Sequence, residues 1–186
     1  EMQRSLVGSE MCIRDRDGIS SLANNFNERP KSLPAPVVKL GTINFTGEIS
    51  GFFDNLVAFG KLSSSIGSIQ TDLIFGSNKD KNIAAYLRGR IASSNLRLHE
   101  LFGENNPFGE ARFDINIDTR RPVGGNFSGN IQAQVKEFDY KAYKYKDINL
   151  SGNFKKSSFD GTIHVNDPNG ELYAQGIFQH LSLIHI

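Results

Sequence analysis

The feature that most constrains this chain is a strict alternation of apolar and polar residues in two neighbouring stretches, 111–118 and 127–135. The apolar positions are Ala111, Phe113, Ile115 and Ile117 in the first stretch, and Phe127, Gly129, Ile131, Ala133 and Val135 in the second. A period of two places alternate side chains on opposite faces of a β-strand. The glycine- and proline-containing residues 120–125 predict a turn between the stretches. The two stretches therefore predict a hairpin with one apolar face and one solvated face.

The rest of the chain repeats this unit. Further strands are predicted within residues 40–49, 56–62, 66–75, 83–91, 146–155, 159–166 and 171–178, with a tight turn at 167–170. The motif apolar–x–Gly–x–apolar recurs at residues 45–49, 87–91, 127–131, 150–154 and 159–163. Glycines on the apolar face predict a sheet curled around that face, although sandwich packing with small residues opposite large ones fits the motif equally. The predicted fold is all-β, a curled antiparallel meander sheet forming a taco-shaped groove.

Two short helices interrupt the strand pattern. In residues 17–28, the spacing of Ile19, Leu22 and Phe26 predicts a helix that ends before Pro30. In residues 94–103, the apolar positions predict a helical turn stopped by Gly103. The domain organisation is then a helix and proline-containing linker over residues 17–36, followed by a repetitive sheet over residues 37–180.

The two ends do not fit this organisation. Residues 10–16 and 181–186 can be back-translated to opposite strands of one short DNA segment, which resembles a sequencing adapter. We therefore expect residues 1–16 and 181–186 to be adapter artefacts that contribute nothing to the fold. Both methionines and the one cysteine, Cys12, lie in the first of these segments. The intervening chain is thus expected to be an internal fragment of a longer protein, without disulfides or thiolate metal sites.

Composition and motifs argue against several functions. The net charge of +1 comes from mixed signs, without the basic patch that nucleic-acid binding requires, and no apolar run is long enough to span a membrane. His99 and His164 have no Cys and no obvious carboxylate partner in sequence, so we expect them at the surface. Asp114 and Asp118 share a polar strand face, which we expect to be solvated. The Lys- and Tyr-rich residues 136–146 predict an exposed hairpin tip. We therefore expect a non-enzymatic protein with no cofactor, catalytic or metal site.

The series of strands with alternating residues and recurring glycine motifs resembles the TamB family. Proteins of this family are the inner-membrane component of the translocation and assembly module and belong to the AsmA-like group. The matching stretches are residues 40–47, 50–53, 62–72, 95–103, 145–154, 159–163 and 167–170. The stretches from residue 145 onward resemble versions from Bacteroidetes. The resemblance covers most of residues 17–180 and describes repetitive β-structure without an active-site motif. Because the family's membrane anchor and C-terminal domain are not recognisable, the chain resembles a segment of the long middle region.

The resemblance implies a function in the Gram-negative envelope. It implies a periplasmic, bridge-like protein, anchored to the inner membrane in its full-length form, whose apolar groove carries phospholipid and supports outer-membrane assembly. The implied partners are phospholipid and an outer-membrane barrel of the TamA or BamA type, and no nucleic acid. The candidate lipid-facing residues are Ile43, Phe45, Ile49, Leu87, Ile91, Phe113, Ile115, Ile117, Phe127, Ile131, Val135, Leu150, Phe154, Phe159 and Ile163.

Two other classes of protein remain compatible with the pattern. A soluble β-sandwich or adhesin-like binding module would cover the apolar face with a second sheet. An outer-membrane barrel also alternates, but it would usually carry aromatic girdles at its strand ends, which these strands do not clearly show. Co-purifying phospholipid would argue against the sandwich, and solubility without detergent would argue against the barrel.

Overall fold

The computed structural model describes residues 44–52, 54–78, 80–103 and 106–179, and these residues form one nine-stranded antiparallel sheet. Strands that follow each other in the chain are neighbours in the sheet, so the order is a meander without crossovers. The strands are β1 (Asn44–Phe52), β2 (Asn55–Ser64), β3 (Gly67–Asn78), β4 (Ile83–Arg97), β5 (Phe108–Pro122), β6 (Ser128–Tyr140), β7 (Tyr143–Lys155), β8 (Ser158–Asp167) and β9 (Gly170–Gln179). A short helix, α1 (Leu98–Phe102), lies between β4 and β5.

The prediction of an all-β antiparallel meander with a short helical interruption is confirmed. The curl of the sheet is at most weak. The expected helix and linker of residues 17–36, the expected adapter segments 1–16 and 181–186, and Ile43 lie outside the described residues. Among the described residues, no helix is long and apolar enough to cross a membrane.

Tight hairpin turns keep consecutive strands adjacent. Lys141 and Ala142 join β6 to β7 with positive φ angles of 50° and 63°, the conformation that matches the twist of a two-residue hairpin. The predicted turn at residues 167–170 joins β8 to β9, and the backbone N–H of Asn169 donates to the Asp167 carboxylate at 3.0 Å. The Lys- and Tyr-rich residues 136–146 contain the β6–β7 turn and so form the end of a hairpin, as the sequence predicted.

Helix α1 ends where the sequence predicted. Gly103 follows the helix with a positive φ of 99°, and its N–H donates to the carbonyl oxygen of His99 at 2.8 Å. Residues 94–97 were included in the predicted helical turn, but they belong to β4, which continues to Arg97 through a bulge between Ser93 and Leu96. Leu96 pairs with Ala111 beyond that bulge, so cross-strand pairing outweighs the local helical spacing.

A small buried core lies beside this bulge. Ile66, Leu96 and Ala111 are buried, and Ile66 retains only 1% of its exposure. Ile66 was predicted to begin a strand, but it lies in the turn between β2 and β3. Its carbonyl oxygen accepts a hydrogen bond from the backbone N–H of Arg97 at 2.8 Å. This bond ties the β2–β3 turn to the end of β4.

Glycines on the sheet allow the backbones of neighbouring strands to approach closely. A Cβ atom built on Gly129 would collide with the carbonyl oxygen of Asp118 on β5, whereas one built on Gly170 would meet no atom within 4 Å. Close approach of this kind is the usual reason for a glycine inside a strand. The recurring glycine motif therefore reflects contact between strands at Gly129.

We predict that Gly129→Ala destabilises the fold by about 1–3 kcal/mol, because β5 or β6 must shift to admit the methyl group. The matched control Gly170→Ala should change stability by less than about 0.5 kcal/mol. Urea unfolding followed by circular dichroism measures both variants. Equal stability of the two variants would show that Gly129 is not required by a close strand contact.

Candidate functional site

The strand register places apolar residues in four rows, each of which crosses all nine strands on one face of the sheet. Directly paired residues in antiparallel strands carry their side chains on the same face. From β1 to β9, the first outer row consists of Phe45, Leu62, Ile69, Ser93, Phe113, Val135, Ile148, Val165 and Leu172. The second outer row consists of Gly51, Leu56, Phe75, Leu87, Thr119, Gly129, Phe154, Phe159 and Phe178. Between them, the first inner row consists of Gly47, Gly60, Thr71, Ile91, Ile115, Ala133, Leu150, Ile163 and Ala174. The second inner row consists of Ile49, Ala58, Leu73, Gly89, Ile117, Ile131, Gly152, Gly161 and Gly176.

These rows define a surface that we call the apolar face. Apart from Thr71, Ser93 and Thr119, every position in the rows is an apolar residue or a glycine. Ser93 directs its hydroxyl to the carbonyl oxygen of Ser68 at 2.7 Å, which satisfies a polar group within the face. The face is therefore continuous across the sheet rather than divided into separate hydrophobic clusters.

The structure brings nearly all of the sequence-predicted site residues together on this face. Every candidate except Ile43 and Phe127 occupies a position in the four rows. Ile43 lies outside the described residues. Phe127 precedes β6, its side chain is 45% exposed, and the Arg121 guanidinium carbon lies 5.4 Å from its ring centre. Phe127 was expected to begin the strand, but the structure places it in the loop directly before β6.

The sequence interpretation omitted the contributions of β2, β3 and β9 to this face. Leu56, Phe75 and Phe178 all lie in the same row as Leu87, through successive pairing between strands. The alternation of Leu56, Ala58, Gly60 and Leu62 could have placed the predicted strand β2 on this face, but the small residues make its period weak. Only the register shows that these side chains continue the same surface.

The apolar face is incompletely covered. Phe75, Leu172 and Phe178 retain 41%, 56% and 37% of their exposure. Residues 44–179, where described, contain a single sheet, so no second sheet packs over the face within this part of the chain. With strands about 4.8 Å apart and rows about 6.8 Å apart, the face measures about 38 Å by about 20 Å. Most of its side chains are half-buried against their neighbours in the sheet, and a large apolar face without a covering layer is typical of an interaction surface.

Aromatic side chains close one end of the apolar face. The ring of Phe108 lies 5.8 Å from Phe102 of α1, 5.9 Å from Phe138 and 5.7 Å from Tyr140. Phe138 pairs with Ala111 and with Tyr145, so the cluster continues the rows toward the β6–β7 hairpin. Tilted contacts at these distances add packing energy to the burial of each ring.

The opposite face of the sheet is mainly polar and carries ion pairs between strands, although Phe59, Ile74 and Ile177 also lie on it and are exposed. Arg88 contacts Asp118 at 2.9 Å, and Arg90 forms a forked contact with Asp114. The hydrogen bond from Arg90 lowers the pKa of Asp114 below its ordinary value, and the same bond raises the pKa of Arg90. Both aspartates are thus paired with arginines, and no group of three or more His, Cys, Asp or Glu in the described residues is placed to hold a metal ion.

The two histidines considered as candidates lie on separate elements. His164 Nε2 lies 2.9 Å from the Glu171 carboxylate across the β8–β9 pair, and His99 lies 3.7 Å from Glu100 on α1. Both side chains are more than a third exposed. The sequence missed both carboxylate contacts, although it placed the histidines at the surface.

A network of hydrogen bonds fixes the β8–β9 turn against β7. The Tyr143 hydroxyl donates to Asp167, the Lys146 backbone N–H donates to Asp167 at 3.0 Å, and the Asn169 amide donates to the Tyr143 oxygen at 2.7 Å. The hydrogen bond from Tyr143 is the largest influence that lowers the pKa of Asp167. It also raises the pKa of Tyr143.

This network predicts a specific pH dependence. Because folding lowers the Asp167 pKa, its stabilising contribution is present above the unfolded-state pKa of about 3.9 and is lost as pH falls through the folded-state pKa. At pH 7 the wild type should therefore have a higher melting temperature than Asp167→Asn. The difference between the two melting temperatures should be smaller at pH 2. The control is Asp160→Asn, at an exposed site on β8 where the carboxylate makes no hydrogen bond or ion pair with a described residue, and its melting difference from the wild type should not vary with pH in this way. A difference in melting temperature between the wild type and Asp167→Asn that does not change with pH would contradict the prediction.

Comparisons with known proteins identify no relative of this chain. No protein-family model, no curated protein and no solved structure matches it. The geometry of the two sheet faces is therefore the basis on which a function can be assigned.

Proposed function

We propose that the apolar face binds the acyl chains of phospholipid, and that this chain is a segment of a periplasmic bridge-like protein for phospholipid transport and envelope assembly. The observation that carries the proposal is the continuity of four apolar rows across nine strands, on a face that stays partly exposed. Transfer of this surface from water to an apolar partner is favourable by about 25 cal/mol per Å².

The shape of the face favours an extended apolar ligand over a compact one. The rows run perpendicular to the strands, so a ligand lying along them meets an apolar residue or a glycine at nearly every strand. The inner rows carry glycine at both edges of the sheet, with Gly47 on β1 and Gly176 on β9. An acyl chain has the matching properties, because it is long, flexible and without polar groups. The phospholipid headgroup would remain at the solvated margin of the sheet.

Both edges of the sheet support a place in a longer structure. On β1, Phe45 and Ile49 continue the rows, and on β9 Leu172 and Phe178 do so. The apolar face therefore reaches each outermost strand without a polar border. A periplasmic location, an inner-membrane anchor and an outer-membrane partner belong to this proposal through the resemblance of the strand motifs to the TamB family.

The alternative is a binding or adhesin-like module whose apolar face is sealed by another protein layer. The described residues place no second sheet over the apolar face, which favours the lipid-binding proposal. The two functions differ in the effect of a charge placed on the face. In a sealed core an unpaired charge destabilises the protein by several kcal/mol, whereas on an open face the side chain can tilt into solvent.

We predict that Ile131→Glu and Ile163→Glu remain folded, with a loss of about 1 kcal/mol of stability, and lose bound phospholipid. Both residues lie on inner rows, where Ile131 pairs with Ile117 and Ile163 pairs with Leu150. A carboxylate there makes contact with an acyl chain unfavourable. Thermal melting and lipid extraction of the purified variants measure the two effects together.

The matched controls are Gln132→Glu and Thr162→Glu, which place the same charge on the polar face beside each tested position. Both should keep wild-type stability and wild-type phospholipid content. Unfolding of the isoleucine variants would favour the sealed module. Folded isoleucine variants with undiminished phospholipid would falsify lipid binding at these positions.

A further inference from the structure

The polar face carries a shallow depression of about 560 Å³ that spans β4 to β8. Its lining is dominated by neutral side chains that both donate and accept hydrogen bonds, including Asn116, Gln132, Gln134, Asn149 and Ser151. The register places them in adjacent rows, with Asn116 paired to Gln132 and Gln134 paired to Asn149. The depression therefore presents a dense array of amides and hydroxyls on the face opposite the apolar rows.

These polar groups are not used by the fold. Within the described residues, the side chains of Asn116, Gln132, Gln134, Asn149 and Ser151 make no hydrogen bond. Neighbouring amides on adjacent strands could have bonded to one another and formed a ladder, but they do not. Each amide thus offers a donor and an acceptor to a ligand.

The electrostatics of the depression favour a neutral ligand over a strongly charged one. Arg90 and Asp114 lie in its lining and neutralise each other through their forked contact. The neutral amides and hydroxyls beside them add no net charge. A phosphate-rich ligand would need unpaired Arg or Lys side chains, which carry most of the affinity in nucleic-acid binding. A peptide strand would need free backbone groups, but those beneath the depression are paired in the sheet interior.

An exposed aromatic ring borders the depression. Tyr173 on β9 pairs directly with His164, which lines the depression, and the two ring centres are 6.2 Å apart. Tyr173 is 63% exposed, and its hydroxyl donates to the Gln175 side chain at 3.1 Å. The contacts with His164 and Gln175 restrain the ring on the polar face. It provides a flat apolar platform next to the array of hydrogen-bonding groups.

We infer that this depression binds a neutral glycan. A sugar ring combines hydroxyls that donate and accept hydrogen bonds with an apolar face of C–H groups, and the depression supplies partners for both. This site is independent of the proposed lipid-binding function, because the two ligands would lie on opposite faces of the sheet.

The test is isothermal titration calorimetry of the purified full chain with cellohexaose, maltohexaose, mannohexaose and the hexamer of N-acetylglucosamine. At least one of these should bind. For that glycan, Tyr173→Ala and the double variant Gln134→Ala/Asn149→Ala should each lower the association constant about fivefold or more. The control Gln179→Ala, exposed at the end of β9 and outside the depression, should bind as the wild type does.

Circular dichroism melts and phospholipid extraction accompany the titrations. If the variants keep the wild-type melting temperature and phospholipid content, any loss of glycan binding results from the change in the depression itself. The absence of binding by all four glycans would overturn the inference. It would also be overturned by binding that survives both variants, or by equal binding of a neutral Gly–Ser peptide of similar length.

Discussion

The structure depends on the cross-strand register that the antiparallel hydrogen-bond ladder imposes. Ile91 lies opposite Ile115, and Ile117 lies opposite Ile131, so each strand extends the face of its neighbour. A shift of one residue in any strand would move its whole apolar set to the other side. The same pairing that aligns the apolar rows also aligns the polar ones. Both candidate surfaces thus follow from one constraint.

The sheet obtains little stability from a sealed interior. Only a few described side chains are buried, and the most completely buried is Ile66, which lies in the β2–β3 turn. The ion pairs on the polar face are exposed, and exposed ion pairs contribute little to stability. Strand pairing and partial burial along the apolar rows must therefore supply most of the stability. A ligand that covers the apolar face would add to it, which links the proposed lipid binding to the stability of the fold.

Much of this architecture could be predicted from the alternation of residues, because the period of two is a local property. The turn at residues 167–170 and the helix stop at Gly103 could also be predicted, since both rest on local conformational preferences. The extension of β4 to Arg97 could not, because it depends on the pairing of Leu96 with Ala111 across the sheet. The polar depression could not be predicted either, because it depends on which side chains remain unpaired after folding.

The central claim is that acyl chains occupy the apolar face and leave the polar face free. Paramagnetic relaxation by a phospholipid with a nitroxide on its acyl chain tests this claim directly in the purified protein. The isoleucine methyl signals of Ile115, Ile117 and Ile163 should lose more intensity than the side-chain amide signals of Gln132 and Gln134, because the nitroxide lies closer to the apolar face of this single sheet. Equal loss on both faces, or no loss at the isoleucines, would contradict the account.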